Sequence, residues 1–229
     1  MSPAVIGLEQ LAQEIDAQFP RLSEAELSIG LAVHRSMASG APVDVDTLVE
    51  AVGLPAARID ELMSEWPGVY RGDDDRIIGF WGLAIGETSH RFRIGDVQLY
   101  TWCAWDALFL PEILGATADV VSKCPSTGTE VRLRISPNGV ETAEPAGVVV
   151  SLLGPDHCDV EGDRVISTFC NHIHFHASRE AGEGWAAEKK NDTFMLTLEE
   201  AFELGRLTNA LRYGETLRVV VERISPSRG

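Results

Sequence analysis

Positive charge is scarce in this chain. It carries 19 Lys and Arg against 35 Asp and Glu, a formal net charge of −16 over 229 residues. Nucleic acids and anionic membranes recruit basic patches, so this balance argues against both as nonspecific partners. Solubility is the ordinary consequence of such a surface. Long apolar runs are missing too. The longest uncharged one, near residues 146–154, is about half of the roughly 20 residues that a membrane helix needs. The N-terminus, Met1-Ser2-Pro3-Ala4-Val5-Ile6, lacks the basic stretch and apolar core of a secretion signal. The expectation is a soluble, cytoplasmic protein with no membrane partner. In that compartment its four cysteines are expected to be free, catalytic or metal-binding rather than disulfide-bonded. No phosphate-binding loop, dinucleotide fingerprint or Gly-x-Ser-x-Gly elbow is present, and no internal repeat.

What is present is a helical first third and a strand-rich remainder. Apolar residues at Leu8, Leu11, Ala12, Ile15 and Phe19 have helical spacing, and Pro20 ends that run. Ser23, with Glu24 and Glu26 behind it, reads as the cap of a second helix running to about Met37. Asp44 or Asp46 starts a third, and Pro55 opens a fourth that ends before Pro67. Two short strands around an Arg71–Asp75 turn follow. Helices followed by a hairpin is the order of a winged-helix module. Its charges oppose DNA binding: residues 21–85 hold five basic side chains (Arg21, Arg35, Arg58, Arg71, Arg76) against eleven acidic ones. Packing or covering another part of the protein is the favoured role.

From Thr88 the pattern is strand-like. His90–Ile94 and Val97–Thr101 flank Gly95-Asp96 as a hairpin. Ala104–Leu110 is predicted as a short helix stopped at Pro111. Segments 116–122, 130–135, 147–153 and 165–177 read as strands, 191–195 as a weak one. Thr197 caps a last helix to about Leu211, with a final strand at 217–221. The expected fold class is α+β: an N-terminal helical winged-helix-like module over residues 1–85, then a mixed or antiparallel sheet core with flanking helices over 86–229.

Two segments hold the chemistry. In Trp102-Cys103-Ala104-Trp105-Asp106 a helix start would put Cys103 and Asp106 on one face. The helix dipole favours the thiolate and the carboxylate opposes it, so one proton shared between the two is the natural compromise. In Phe169-Cys170-Asn171-His172-Ile173-His174-Phe175-His176 a strand would align Cys170 with His172, His174 and His176. That reads as a zinc or copper site, or as a half-buried strand whose histidines bond to neighbours. From spacing alone an inert role is the heavier reading for each segment. Cys124, in the Lys123-Cys124-Pro125-Ser126-Thr127-Gly128 turn, reads as structural, and Cys158 as an idle loop cysteine.

Taken together, these segments resemble the organomercurial (alkylmercury) lyase family. The likeness runs through the helical N-terminal part, Gly82–His90, Leu99–Asp106, Glu144–Leu152, Phe169–Phe175 and Glu200–Gly205. It implies cleavage of carbon–mercury bonds by protonolysis for mercury detoxification, with no organic cofactor. It implies Cys103, Asp106 and Cys170 as catalytic residues that also hold the Hg(II) product, and Cys124 as structural. Implied partners are an organomercurial substrate, low-molecular-weight thiols that release Hg(II), and a mercuric reductase. The chain departs from several members at Asn171, where they carry a second cysteine. Trp102 and Trp105 read equally as the lining of a pocket for the organic group or as plain core. Against the lyase stand a non-catalytic zinc or copper protein using Cys170 and the histidines, and an acidic winged-helix metal sensor. Neither needs Cys103 or Asp106, and the sensor would need a basic helix.

Overall fold

The computed structural model describes residues 7–154, 164–189 and 193–224. Helix α1 (Leu8–Asp16) is amphipathic and buries Leu11, Ala12 and Ile15. Helix α2 (Glu24–Met37) begins with a full capping box: the Ser23 hydroxyl accepts from the Glu26 N–H, and the Glu26 carboxylate takes the Ser23 N–H. Two donors that would otherwise lack partners are thereby satisfied. Asp44 caps a 3-10 turn, Val45–Leu48, that runs into the short helix α3 (Val49–Val52). Helix α4 (Ala56–Ser64) follows Pro55 and buries Ile59 and Met63.

Strands β1 (Val69–Arg71) and β2 (Ile77–Phe80) form the expected hairpin. They open an eight-stranded antiparallel sheet. It continues through β3 (Leu83–Ala84), β4 (His90–Ile94), β5 (Val97–Thr101), β6 (Ala118–Lys123), β7 (Glu130–Ser136) and β8 (Gly139–Glu144), in the spatial order β1-β2-β3-β5-β4-β6-β7-β8. β3 pairs directly with β5, so the sheet runs without a break from the N-terminal hairpin into the rest of the chain. A second sheet has β9 (Val149–Leu153) between β10 (Phe175–His176) and β11 (Thr193–Thr197). Every residue of β9 is buried, as befits a central strand covered on both faces.

Helix α5 (Asp106–Leu114) leaves β5 after a tight turn and packs on α8 (Leu198–Ile224). Gly205 makes that contact possible: a Cβ there would lie 2.7 Å from the Phe109 Cβ. Trp105 Nε1 fixes the pair by donating to the Ala201 carbonyl at 3.0 Å. Thr197 and Glu200 form a second capping box at the start of α8. The core is continuous from α1 and α2, through both sheets, to α5 and α8. The class is α+β, as expected.

Several expectations of local structure give way. Pro111 does not stop α5 but sits inside it; it falls in the second turn, where a missing N–H leaves only one intrahelical bond unmade. Segment 165–177 is not one strand. It is helix α6 (Arg164–Thr168), a 3-10 turn at Cys170–His172, and only then the two residues of β10. Segment 217–221 is not a final strand: α8 continues to Ile224 across a break at Gly214, where φ is 48° and ψ −126°. Three elements escaped the sequence reading: the two-residue β3, β8, and α7 (Arg179–Lys189), which buries only Gly182 and Trp185. β8 and α7 are too polar to show a clear apolar period.

Candidate active site

Cys103, Asp106 and Cys170 come from three different pieces of local structure. Cys103 lies in the turn between β5 and α5, not in the helix as its spacing suggested; Trp105 is the N-cap and Asp106 the first helical residue. The turn is held from both sides. Thr101, at the end of β5, donates its hydroxyl to the Cys103 carbonyl at 2.8 Å. The Cys103 N–H donates to Asp106 Oδ2 at 2.8 Å. Gly82 supplies the space for the Asp106 carboxyl. Its φ is +94°, a left-handed value that glycine adopts without penalty, and a Cβ there would lie 2.7 Å from Asp106 Cγ.

Cys170 arrives on its 3-10 turn, 67 residues later. That turn closes on itself through His172 N–H to Phe169 O and Ile173 N–H to Cys170 O, each 3.0 Å. The Ala104 N–H donates to the Ile173 carbonyl at 3.2 Å, so the two cysteine turns are joined backbone to backbone. As a result the ligand atoms of Cys103, Asp106 and Cys170 all lie within 4.8 Å of one another, and all three residues are buried. One soft ion with two thiolates can span such a gap.

The electrostatics follow from burial. Asp106 is pushed up to about 6 by burial, against the hydrogen bonds from Cys103 that favour its charge. Burial also drives the Cys103 thiol well above its usual range, helped by its hydrogen bond to Cys170 and by the Asp106 charge. Cys170 is treated differently. The hydrogen bond from Cys103 lowers its pKa, but burial and the Asp106 charge outweigh that and leave it raised. Both thiols are therefore held above their usual range by burial and the nearby Asp106 charge.

Beside these groups lies an apolar chamber. Cys170 and Asp106 form part of its wall with Trp102, Trp105, Phe109 and Phe169, and Phe19, Trp81 and Arg212 complete it. Trp102 and Trp105 therefore face the space next to the thiols. The sequence reading missed Gly82, Trp81, Phe19 and Arg212. Only the Gly82 signal was legible, as a glycine inside an apolar strand pattern.

The histidines do not join the site. Breaking 165–177 into a turn and a short strand removes the alternation that would have aligned them with Cys170. Ser151 pins the break: its hydroxyl donates to the His172 carbonyl and accepts from the His174 N–H, both at 2.9 Å. His174 Nε2 meets the Asn171 carbonyl at 2.9 Å. The His176 ring packs 5.3 Å from Trp185 between centroids, and neither of its buried nitrogens has a hydrogen-bond partner among the described residues. The only cluster of metal-binding side chains among those residues is Cys103, Asp106 and Cys170.

Cys124 is buried in its turn, between β6 and β7, away from that cluster. Burial raises its pKa. Hydrogen bonds from the Ser126 and Thr127 hydroxyls and from backbone N–H groups reverse this and bring it to about 7. Cys158 lies outside the described residues.

Comparison with known proteins points one way. The family described as alkylmercury lyase (MerB) matches residues 83–209, the stretch that holds all three clustered residues. An alkylmercury lyase of Staphylococcus epidermidis is 37% identical over 182 residues, 80% of this chain and 81% of that protein. One from Streptomyces lividans is 40% identical over 181 residues, 79% of this chain and 81% of that protein. In fold, the chain is similar to the crystal structure of the mercury-bound form of MerB2, with a TM-score of 0.70, 23% identity, and coverage of 92% of this chain and 98% of that one.

Proposed function

This chain belongs to the alkylmercury lyase family and cleaves carbon–mercury bonds, and we propose that it does so by protonolysis through Cys103, Asp106 and Cys170. The observation that carries this reading is the convergence of two thiols and a carboxyl within 4.8 Å of one another beside an apolar chamber.

The substrate is an organomercurial held by a small thiol, R–Hg–SR′. Cys170, which lines the chamber, attacks mercury as a thiolate and R′S⁻ leaves. The Cys103 thiol then binds the same mercury, and its proton passes to the Asp106 carboxylate, which accepts protons readily because burial has raised its pKa to about 6. Two thiolates on mercury enrich the bound carbon in electrons. Asp106 gives its proton to that carbon as the carbon–mercury bond breaks. R–H departs, Hg(II) stays on the two sulfurs, and Asp106 is again a carboxylate. The proton in R–H is the one Cys103 brought in. Two small thiols then carry Hg(II) away and return protons to the cysteines; a mercuric reductase is the natural receiver. Every step uses side chains alone, and no organic cofactor is invoked.

Residues 1–85 act in this reading as a winged-helix-like module and residues 86–229 as the catalytic core. The order of helices then hairpin supports the module. It contributes Phe19 and Trp81 to the chamber wall, so its role is to cover the site rather than to bind DNA. Detoxification of mercury in the cytoplasm, without membrane or nucleic acid as partner, fits the acidic surface and the lack of any described helix long and apolar enough to cross a membrane.

The test is direct. The protein is incubated with methylmercury or phenylmercury and excess thiol, and methane or benzene is measured. Hydrocarbon formation that disappears in Cys103→Ala and in Cys170→Ala is the expected result. Mercury binding without hydrocarbon would leave a metal-binding protein instead.

A further inference from the structure

We propose that Ser151 is a positioning residue for the reaction: its hydroxyl ends the pairing of β10 with β9 and thereby fixes where the Cys170 sulfur lies against Cys103. The inference rests on the reading of Cys103 and Cys170 as the pair that takes mercury.

Ser151 is the one polar residue of β9, and it is fully buried. A hydroxyl hidden in an apolar strand costs stability unless it is bonded. Its bonds run to the segment that carries Cys170. β9 pairs with β10 through Val150 with Phe175 and Val149 with His176. That register next sets His174 opposite Ser151. Half of this next pair is made: the Ser151 N–H donates to the His174 carbonyl at 3.0 Å. In a regular antiparallel pair the His174 N–H would return the bond to the Ser151 carbonyl. It goes instead to the Ser151 hydroxyl oxygen at 2.9 Å, and the hydroxyl gives its own hydrogen to the His172 carbonyl, also at 2.9 Å. A hydroxyl has one hydrogen to donate and lone pairs to accept with, so one side chain binds both ends of residues 172–174. The chain leaves the sheet at this point and closes into the 3-10 turn at Cys170–His172.

Cys170 hangs from that anchored piece. The Ile173 N–H donates to the Cys170 carbonyl at 3.0 Å, and the Ile173 carbonyl accepts the Ala104 N–H at 3.2 Å. Residues 172, 173 and 174 are thus tied in succession to β9, to the Cys103 turn, and to β9 again. Cys103 is fixed separately, by Thr101 and Asp106. The gap between the two sulfurs is therefore set by Ser151 from one side and by Thr101 and Asp106 from the other. That gap lies within 4.8 Å, a span that one soft ion can bridge with two thiolates. Alanine at position 151 keeps the backbone bond to His174. It removes the donor to His172 and the acceptor for the His174 N–H together. The turn is then free to drift while β9 stays paired with β11, and a drift of about 1 Å in a reacting group costs on the order of a hundredfold in rate.

The experiment compares Ser151→Ala with Ser122→Ala in the full-length protein. Ser122 is a second buried strand serine, whose hydroxyl meets His90 Nδ1 at 2.9 Å and neither cysteine turn. Two readouts are taken beside the melting temperature: hydrocarbon release from methylmercury with excess thiol, and capture of phenylarsine oxide. The arsenical condenses with two thiols and releases one water, so it reports whether one atom can bridge Cys103 and Cys170. Peptide mass spectrometry after alkylation identifies the cysteines it protects. In Ser151→Ala, turnover is expected to fall about 10- to 100-fold, mainly in kcat, and the Kd for the arsenical to rise at least tenfold. In Ser122→Ala both should stay within about threefold, with a comparable loss of melting temperature. A merely structural role would make the two variants alike, and equal turnover and equal capture in them overturn the proposal. Should Ser151→Ala not fold, Ser151→Cys keeps nearly the same volume with a much weaker donor; arsenical still protecting Cys103 and Cys170 there as in the unaltered protein overturns it equally. No hydrocarbon from the unaltered protein would instead overturn the underlying reading of the site.

Discussion

Gly82 lies so close to Asp106 that a single added methyl group would meet the carboxyl carbon at 2.7 Å and its oxygen at 2.8 Å. These are separations that non-bonded atoms do not tolerate, and the backbone there is at φ +94°, where any side chain adds strain. Gly82 also accepts the Trp102 N–H at 2.9 Å, so it fixes both ends of the Cys103 turn. Gly82→Ala should therefore displace Asp106 and cost on the order of a hundredfold in turnover, since errors of about 1 Å in reacting groups have that effect. The check is turnover alongside a circular dichroism spectrum; full activity in a folded variant would show that Asp106 need not be held where it is.

The three reacting residues should fail in different ways. Cys103→Ala and Cys170→Ala are each expected to reduce turnover by about a thousandfold or more, because groups that act as a unit lose most of their effect together. Asp106→Asn should lose about 10²- to 10⁴-fold, the usual worth of a placed proton donor, while still binding mercury through two sulfurs. Mass spectrometry under native conditions separates the cases. Asp106→Asn should trap the intact R–Hg adduct on both cysteines. Release of free Hg(II) without such an adduct would remove Asp106 from the proton transfer.

Activity should rise with pH. Cys103 and Cys170 are both raised from their ordinary values, so the free enzyme holds little thiolate at neutral pH, and kcat/KM should climb as pH rises into the alkaline range. The Asp106 charge contributes to both shifts. Removing it in Asp106→Asn should let the thiols ionise at lower pH, visible in the ultraviolet absorbance of thiolate. A thiol titration indifferent to Asp106→Asn would contradict the placement of its charge.

Acid should unfold this protein early. His34, His90 and His176 are buried, and burial is the first cause of pKa values near 4, 3 and 4. An unfolded histidine titrates near 6.5. Folded values below unfolded ones mean stability that is present above about pH 6.5 and lost as pH falls toward 4. At about 1.4 kcal/mol per unit, each histidine withdraws a few kcal/mol across that window. Asp106 acts oppositely: its folded value, near 6, lies above the unfolded one, so its contribution is present at low pH and lost as pH rises through 6. Three histidines outweigh one aspartate. Urea midpoints measured from pH 7.5 to 4 should fall steadily. His176→Phe, which replaces a ring whose two nitrogens have no hydrogen-bond partner among the described residues, should flatten that fall and keep or raise stability at neutral pH.

Cys124 should matter for stability and not for chemistry. Its thiol sits near pKa 7 because Ser126, Thr127 and backbone N–H groups hydrogen-bond to it more strongly than burial opposes. Cys124→Ala leaves those donors facing a void and should cost about 1–3 kcal/mol, with turnover within a few-fold of the unaltered protein. Loss of turnover in a stable Cys124→Ala variant would give this cysteine a role in mercury transfer.

The sequence by itself determined most of the local structure. Ser23 with Glu26, and Thr197 with Glu200, mark helix starts because a hydroxyl and a carboxylate three residues apart satisfy each other's backbone donors wherever they occur. The Gly95-Asp96 turn needs nothing beyond its neighbours. Cys103 and Asp106 are close for the same reason, three residues being one turn. Tertiary structure decided what these local facts could not. Cys170 looked like a strand residue aligned with three histidines, and Ser151, reached only when β9 lies alongside, turned that segment into a bend and sent the histidines elsewhere. Phe19, just after α1, Trp81, just after β2, and Arg212 in α8 stand far apart in the chain and meet only when these elements pack around one chamber. Capping and turns are short-range and readable in order; a reaction site assembled from Cys103, Asp106 and Cys170 depends on long-range packing, which burial and not spacing brings about.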